Sequence, residues 1–408
     1  MNNIPPIITD PTDCDVYKWS MGNFLFKKGY LREIVGWQFF SRGDWKFPLG
    51  FGRALQEQVD SWADLRFTDE AISYIEKSMY WLDYFYINSY LKTYRFTPEL
   101  VKINVIGHGT YEDISVSYEG EWGQVIFFEI YLLATMSELY NIMTDMDAKR
   151  ISDKVADERT IDKLKRLSDC GAKVAEFGTR RRYSKQMHRR VLELMIKHAP
   201  DVLLGTSNAM FSREYSLTPM GTIAHELIMF MAAKFNPAIA NELVMKQWVE
   251  VYNGALGIYL TDTYTTKHFL KYFDLLHSKL WDGVREDSAP DTDKYVDMII
   301  EHYKKLRIDP TSKTINHSNR IGSVERIVHM QNYRKDEIRR VFGLGTWLTN
   351  DVYPENSELK AVDWVAKMVY AYVDGHKKYC VKLSDIPDKI TSIDPATTEH
   401  YLQELYLK

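Results

Sequence analysis

The sequence predicts an α/β protein: an α/β barrel with a second α+β domain beside it. From about residue 125, apolar runs of strand length alternate with amphipathic segments, an order that implies a parallel sheet with right-handed crossovers. About eight such units over roughly 220 residues fit a closed barrel better than an open sheet. The chain before this stretch is rich in aromatic residues, and the tail after Asp351 returns to short strand-like runs. The two ends are therefore expected to pair, giving one domain of residues 1–124 completed by 352–408 and a barrel of residues 125–351.

Residues 34–42 read as a strand, with Trp37, Phe39 and Phe40 close together. Residues 49–65 and 69–82 carry apolar positions at i, i+3 and i+4 and read as helices. Residues 96–105 and 111–118 alternate and read as strands around a turn at Gly107 and Gly109. The expected barrel strands are 125–130, 173–177, 201–204, 218–220, 257–261, 282–285, 314–316 and 340–344. Amphipathic stretches such as 184–198 and 293–306 separate them, and a helix is expected over 224–233. In the tail, 364–373 and 379–383 read as strands.

A length of 408 residues exceeds what one hydrophobic core usually supports. Hydrophobic content of 45% and charged content of 26% are ordinary for a globular protein. A net charge of -4 argues against a general nucleic-acid binder. Cys14, Cys170 and Cys380 are few and far apart, which excludes a disulfide framework or a zinc spacing and fits a reducing compartment. The start, MNNIPPIITDP, lacks the pattern of a signal peptide. Residues 125–136 are the most apolar segment, but Glu129 breaks it and it is too short to span a bilayer. A cytoplasmic protein with no membrane partner is expected.

Four apolar runs stop at a Gly-Thr pair followed by polar residues: Gly178-Thr179, Gly205-Thr206, Gly221-Thr222 and Gly345-Thr346. Glycine lets backbone N–H groups approach a ligand, threonine adds a hydroxyl, and a helix start favours an anion. Gly109-Thr110 lacks a following helix and shows that the pair also arises by chance. At the strand ends of a barrel such turns converge on one mouth, as would Asp262, Asp287 and Ser318. Arg180, Arg181 and Arg182 follow the first pair, as a solvated basic face or as a binder of carboxylate or phosphate. Their charge at a helix start opposes the dipole, a conflict that an anion relieves. His225, with Glu226 beside it to orient the ring, could act as a base or accept a phosphoryl group. Asp287 and Asp262 could hold magnesium through waters or bond a ribose, or could simply be acidic loop residues. Tyr17, on pattern alone, reads as packing.

Together these segments resemble the nicotinate phosphoribosyltransferase family. TDCDVYKWSM is similar to the family's amino-terminal DTDAYKLSM, and EFGTRRRYS, GTSN, LTPMGTIAHE, GIYLTDTYTT, HYKKLRIDPTSKT, FGLGTWLTND and VKLSDIPDK resemble further blocks in order. The resemblance implies an irregular barrel, a second domain that recruits the carboxyl-terminal segment, and a head-to-tail homodimer with shared active sites. It implies transfer of phosphoribosyl from phosphoribosyl pyrophosphate to nicotinate, giving nicotinate mononucleotide and pyrophosphate. ATP is the implied co-substrate, with Mg2+ and a phosphohistidine. By the same resemblance His225 takes the phosphoryl group, Thr222 lies beside the pyridine ring, and Tyr17 of the partner subunit stacks on it. Arg285, assisted by Arg180, pairs with the nicotinate carboxylate. Arg181, Gly345, Thr346, Ser288, Ser318 and Asp287 hold phosphoribosyl pyrophosphate.

The chain departs from the family in two loops. Where the family reads RHDSGDP, this chain has Arg285-Glu286-Asp287-Ser288-Ala289-Pro290-Asp291. Where the family reads VFSD and a further acid, it has Asn316-His317-Ser318-Asn319-Arg320. Two alternatives stay open at this level. One is an impaired paralogue that binds ligand without turnover, and the other is a related pyridine phosphoribosyltransferase, such as a quinolinate type using Arg182.

Overall fold

A computed structural model describes residues 4–319 and 321–407, so Arg320 of the second altered loop lies outside the described residues. Strands β1 (Ile34–Ser41), β2 (Phe47–Pro48), β3 (Val101–Gly107) and β4 (Tyr111–Glu121) come first. The parallel strands follow: β5 (Val174–Glu176), β6 (Leu203–Thr206), β7 (Ile258–Leu260), β8 (Gly283–Glu286), β9 (Thr314–His317) and β10 (Arg339–Leu344). The tail adds β11 (Trp364–Val373) and β12 (His376–Tyr379).

The two ends of the chain do meet. β11 lies antiparallel beside β1, with Trp37 opposite Met368 and Gln38 opposite Lys367, in a sheet ordered β12-β11-β1-β4-β2. A bulge falls between Gly36 and Trp37. Only glycine fits there, because a Cβ on Gly36 would stand 2.1 Å from the Tyr370 ring. β3 and β4 form the expected hairpin, with Gly109 at φ +80° in its turn.

The parallel sheet has six strands rather than the expected eight, in the order β6-β5-β10-β9-β8-β7. Residues 218–220 form no strand and make a single bridge, Thr206 to Pro219, since proline has no N–H to donate to a ladder. The segment still closes the circuit between the edge strands. Thr206 and Met220 exchange backbone hydrogen bonds with 218–220 and β6, and the Thr222 hydroxyl donates to the Ile258 carbonyl of β7 at 3.2 Å.

Residues 125–130, expected as the first barrel strand, instead close the helix Trp122–Val125, turn at 126–127 and open the helix Phe128–Met143. Apart from Glu129 the run is apolar throughout, and periodicity cannot separate a buried strand from a buried helix. Within the 22-residue stretch Trp122–Met143 the most apolar window has a mean hydropathy of 1.3, and 83% of that window is buried inside the fold, as befits a core helix. It packs beneath the antiparallel sheet and against the turn at Thr179–Arg181. Residues 380–383 also leave the strand expected for 379–383: β12 ends at Tyr379, and Leu383 instead donates to the Thr263 carbonyl. That detour carries Lys382 towards the parallel sheet. Elsewhere capping agrees with the sequence, as where the Ser184 hydroxyl accepts from the Met187 N–H to start the helix Lys185–His198.

Candidate active site

A cavity of about 570 Å³ opens where the parallel strands end. Phe177, Ser207, Asp287, Ser318 and Gly345, just past β5, β6, β8, β9 and β10, all line it. Tyr17, Arg180, Arg181, Thr222, His225, Glu226, Arg285 and Thr346 line it as well. The expected convergence of the Gly-Thr turns is therefore present for Gly221-Thr222 and Gly345-Thr346. Gly221 is needed for a close approach, since a Cβ there would lie 2.6 Å from the Tyr17 backbone nitrogen.

The three arginines diverge. Arg180 faces the cavity, 3.5 Å from Asp15 and 3.5 Å from Glu129. Arg181 donates to the Trp364 carbonyl at 2.9 Å and pairs with Asp363 at 2.9 Å. Arg182 is fully buried in a two-pronged pair with Asp13, at 2.7 and 2.8 Å. It is thus unavailable for a second substrate carboxylate, which removes the footing of the quinolinate alternative. The trio sits on a short 3-10 turn, Thr179–Arg181, ahead of the helix that Ser184 caps. The expected clash with a helix dipole does not arise.

His225 opens the helix His225–Lys234. Its Nδ1 lies 2.9 Å from the Thr263 hydroxyl, and its Nε2 lies 3.0 Å from an Asp287 carboxylate oxygen. Burial and the Lys382 ammonium push the imidazole down to about 4, against the pull of Asp262 and Asp287, so the ring is neutral near pH 7. Burial raises the Asp287 carboxyl, but the His225 hydrogen bond and Lys382 outweigh it and hold the group well below its ordinary value. The orienting carboxylate is therefore Asp287. Glu226, expected in that role, turns away and meets the Lys18 ammonium at 2.8 Å.

Asp262 and Ser288 lie behind the cavity wall. Asp262 is fully buried, paired with Lys382 at 3.0 Å and accepting from Ser288 at 2.6 Å. Ser288 bonds further to Ser384 at 2.8 Å and the Asp385 N–H at 3.1 Å, so its hydroxyl is spent on the wall rather than on a ligand, contrary to expectation. His225, Asp262 and Asp287 offer ligand atoms within 4.8 Å of one another. A cation held by all three would face the Lys382 ammonium, and magnesium prefers oxygens and keeps several waters. Among them only Asp287 offers a carboxylate to the cavity.

Tyr17 lines the cavity of its own chain. Its hydroxyl donates to Glu129 at 2.7 Å, and the Arg180 guanidinium lies 6.0 Å from the ring centre. Arg285 is pushed down by burial, and its Nε is buried without a hydrogen-bond partner among the described residues. Such a group invites an anion, because a buried unpaired donor is costly. Ser318 donates to Asn316 at 3.0 Å at the rim.

Five cavity or near-cavity groups escaped the sequence reading: Lys18, Glu129, Lys367, Lys382 and Lys389. Lysines are read as surface residues by default. A lysine within the otherwise apolar WVAKMVYAYV strand was the available signal for Lys367. Burial, together with Lys382 and Arg180, brings Lys367 down to about 8 despite the nearby Glu129. Lys389 donates to the Asp287 carbonyl and to the Asn319 side chain at 3.0 Å, tying the two altered loops together.

The comparisons agree with this geometry. Residues 172–408 match the model of the nicotinate phosphoribosyltransferase (NAPRTase) family, and residues 12–137 match its N-terminal domain. A nicotinate phosphoribosyltransferase of Chromohalobacter salexigens is 38% identical over 389 residues, covering 95% of each chain. The crystal structure of nicotinate phosphoribosyltransferase from Porphyromonas gingivalis superposes with a TM-score of 0.90 at 30% identity, covering 98% of this chain and 100% of that one. The Vibrio cholerae structure of the same name gives 0.89 at 29%, covering 99% and 95%. With its catalytic-type cavity built from both ends and the middle of the sequence, the chain belongs to the nicotinate phosphoribosyltransferase family.

Proposed function

We propose that this protein transfers the phosphoribosyl group of phosphoribosyl pyrophosphate to the ring nitrogen of nicotinate, releasing nicotinate mononucleotide and pyrophosphate. The observation that carries the assignment is one cavity shared by a neutral, carboxylate-held His225 and by a Tyr17–Arg180–Arg285 wall. Arg285 and Arg180 receive the nicotinate carboxylate, and the acid is favoured over the amide because only the acid neutralises the buried Arg285. Tyr17 offers its ring as a flat apolar face beside Thr222. Arg181, Ser318, Gly345 and Thr346 hold the sugar phosphate, with Lys367 and Lys389 adding positive charge. Asp287 faces the ribose and the diphosphate, and magnesium, when bound, shields the leaving diphosphate's charge.

Nitrogen attack on the anomeric carbon asks for little proton transfer. Positioning and electrostatic stabilisation of the positive charge growing on the sugar carry the rate. ATP enters as co-substrate. His225 accepts its terminal phosphoryl group at Nε2, the nitrogen that faces the cavity-lining Asp287, while Nδ1 stays on Thr263. Asp287 first takes the Nε2 proton, which frees an in-plane lone pair on that nitrogen, and the nitrogen–phosphorus bond then forms as the bond to ADP breaks. Water later releases the group as phosphate, and the nitrogen regains its proton. The added charge reorganises the pocket towards tighter substrate binding.

The same proposal divides the chain into residues 1–124 with 352–408 and residues 125–351, a division that each of the two sheets respects. It places the protein in the cytoplasm, where its three free cysteines stay reduced. It keeps the homodimer with shared active sites, each chain also bringing its own Tyr17 to its cavity. The deciding experiment is a steady-state assay of nicotinate mononucleotide formation, with and without ATP, beside His225→Ala. Product from wild type, and loss of the ATP effect in the variant, are expected. Ligand binding without product over hours would instead identify an impaired paralogue.

A further inference from the structure

Lys18 is fully buried on the helix Tyr17–Lys28, its ammonium 5.0 Å from the centre of the Tyr17 ring, and no role has been assigned to it above. Its ammonium lies 2.8 Å from Glu129 and 2.8 Å from Glu226. It also sits 4.8 Å from the centre of the Trp37 ring, which closes off one side. Glu129 in turn accepts from the Tyr17 hydroxyl at 2.7 Å and lies 3.5 Å from Arg180. Glu226 is the residue after His225, in the first turn of the same helix, and its second oxygen has no hydrogen-bond partner among the described residues.

We infer that Lys18 is a positioning residue that couples the phosphoryl-accepting end of the cavity to the nicotinate wall, through the chain Glu226–Lys18–Glu129–Tyr17/Arg180. This rests on the assignment of nicotinate to the Tyr17–Arg180–Arg285 wall.

The physical basis is short range and contiguous. His225 and Glu226 share one helical turn, so a group inserted between His225 and Asp287 displaces both residues together. Glu226 is held by an ion pair in a dry interior, where a buried polar network is strongly sensitive to the loss or movement of one member. Lys18 has two carboxylates and three donors, so a shift of Glu226 is passed to Glu129 rather than absorbed by water. Glu129 holds both the ring that stacks on nicotinate and the arginine that meets its carboxylate. The link is a demonstrated contact chain, and the coupling across it is what a measurement must show.

Two arms test the inference. In the first, nicotinate binding is measured by calorimetry without ATP in wild type, Lys18→Met and Lys18→Arg. At least a five-fold loss of affinity is expected in Lys18→Met, with recovery to within about three-fold in Lys18→Arg. An affinity within two-fold of wild type in Lys18→Met overturns the inference. In the second arm, uptake of label from radiolabelled ATP is measured together with the ratio of nicotinate KM without ATP to that with ATP. Glu226→Gln, which conserves shape and carries the test should Lys18→Met not fold, is expected to take up label as wild type does while its KM ratio falls at least five-fold. Normal labelling with a KM ratio within two-fold of wild type overturns the inference. A wild-type protein that takes up no label, beside a Lys18→Met that still loses nicotinate, sinks the phosphohistidine and supports the positioning role.

Discussion

Asp287 accepts from Nε2 of His225 at 3.0 Å, across loops that lie 62 residues apart in sequence. The contact sets the tautomer of the ring and gives its proton somewhere to go. Asp287→Asn keeps the shape but cannot take that proton. Label transfer from ATP to the protein is expected to fall by about 10²-fold or more, the scale of a lost acid–base partner. Wild-type labelling rates in the variant would remove Asp287 from the step.

The pH dependence of labelling follows from the same ring. The folded-state value of about 4 lies below the ordinary 6.5, so the neutral, nucleophilic form persists as pH falls from 7.5 to about 5. The unfolded chain takes up its proton near 6.5, so the stability contributed by the buried neutral ring declines between 6.5 and 4. Lys382 contributes to the depression. In Lys382→Met the acid limb of the labelling profile should therefore move to higher pH, and an unmoved limb would contradict the assignment.

On the proposed assignment, Arg285 sets the choice between acid and amide. Replacing it by methionine removes a charge-assisted bond of roughly 1.5–3 kcal/mol, about 10- to 100-fold. Nicotinate kcat/KM should drop by that factor while nicotinamide changes little, so a substrate panel would show the preference collapsing. Retained discrimination would place the carboxylate elsewhere.

Lys367, brought down to about 8, is charged below that pH and neutral above it. The KM for phosphoribosyl pyrophosphate should rise several-fold between pH 7 and 9 in the wild type. Lys367→Met should show the high value throughout with no such dependence. A pH-dependent KM that survives in the variant would point to another group.

Arg182 tests structure rather than chemistry. Burial raises the Asp13 carboxyl, but Arg182 outweighs it and holds Asp13 well below the ordinary range, and the pair is wholly dry. Arg182→Ala leaves the buried carboxylate with only Lys185 at 3.4 Å and the Asn208 amide at 2.8 Å, and should cost about 3 kcal/mol in denaturant unfolding. A loss under about 1 kcal/mol would mean that the pair is not closed in solution.

The sequence by itself determined the local elements and their chemical types. Periodicity marked β11 and the helix Lys185–His198, and three of the four Gly-Thr pairs marked the ends of β5, β6 and β10, because backbone preference and amphipathicity act over a few residues. His225, Arg180 and Asp287 were legible as reactive types near such ends, and Arg285 through the family resemblance. Tertiary structure alone decided three things. The largely apolar run Phe128–Met143 is a helix buried over most of its surface, where period carries little information. Ser288 and Asp262 face the wall because Lys382, arriving from the distant tail, pairs with Asp262. The cavity's lysines and the Lys18 relay exist only where segments hundreds of residues apart share one dry space, since burial and partner identity are properties of the folded contact and of no local pattern.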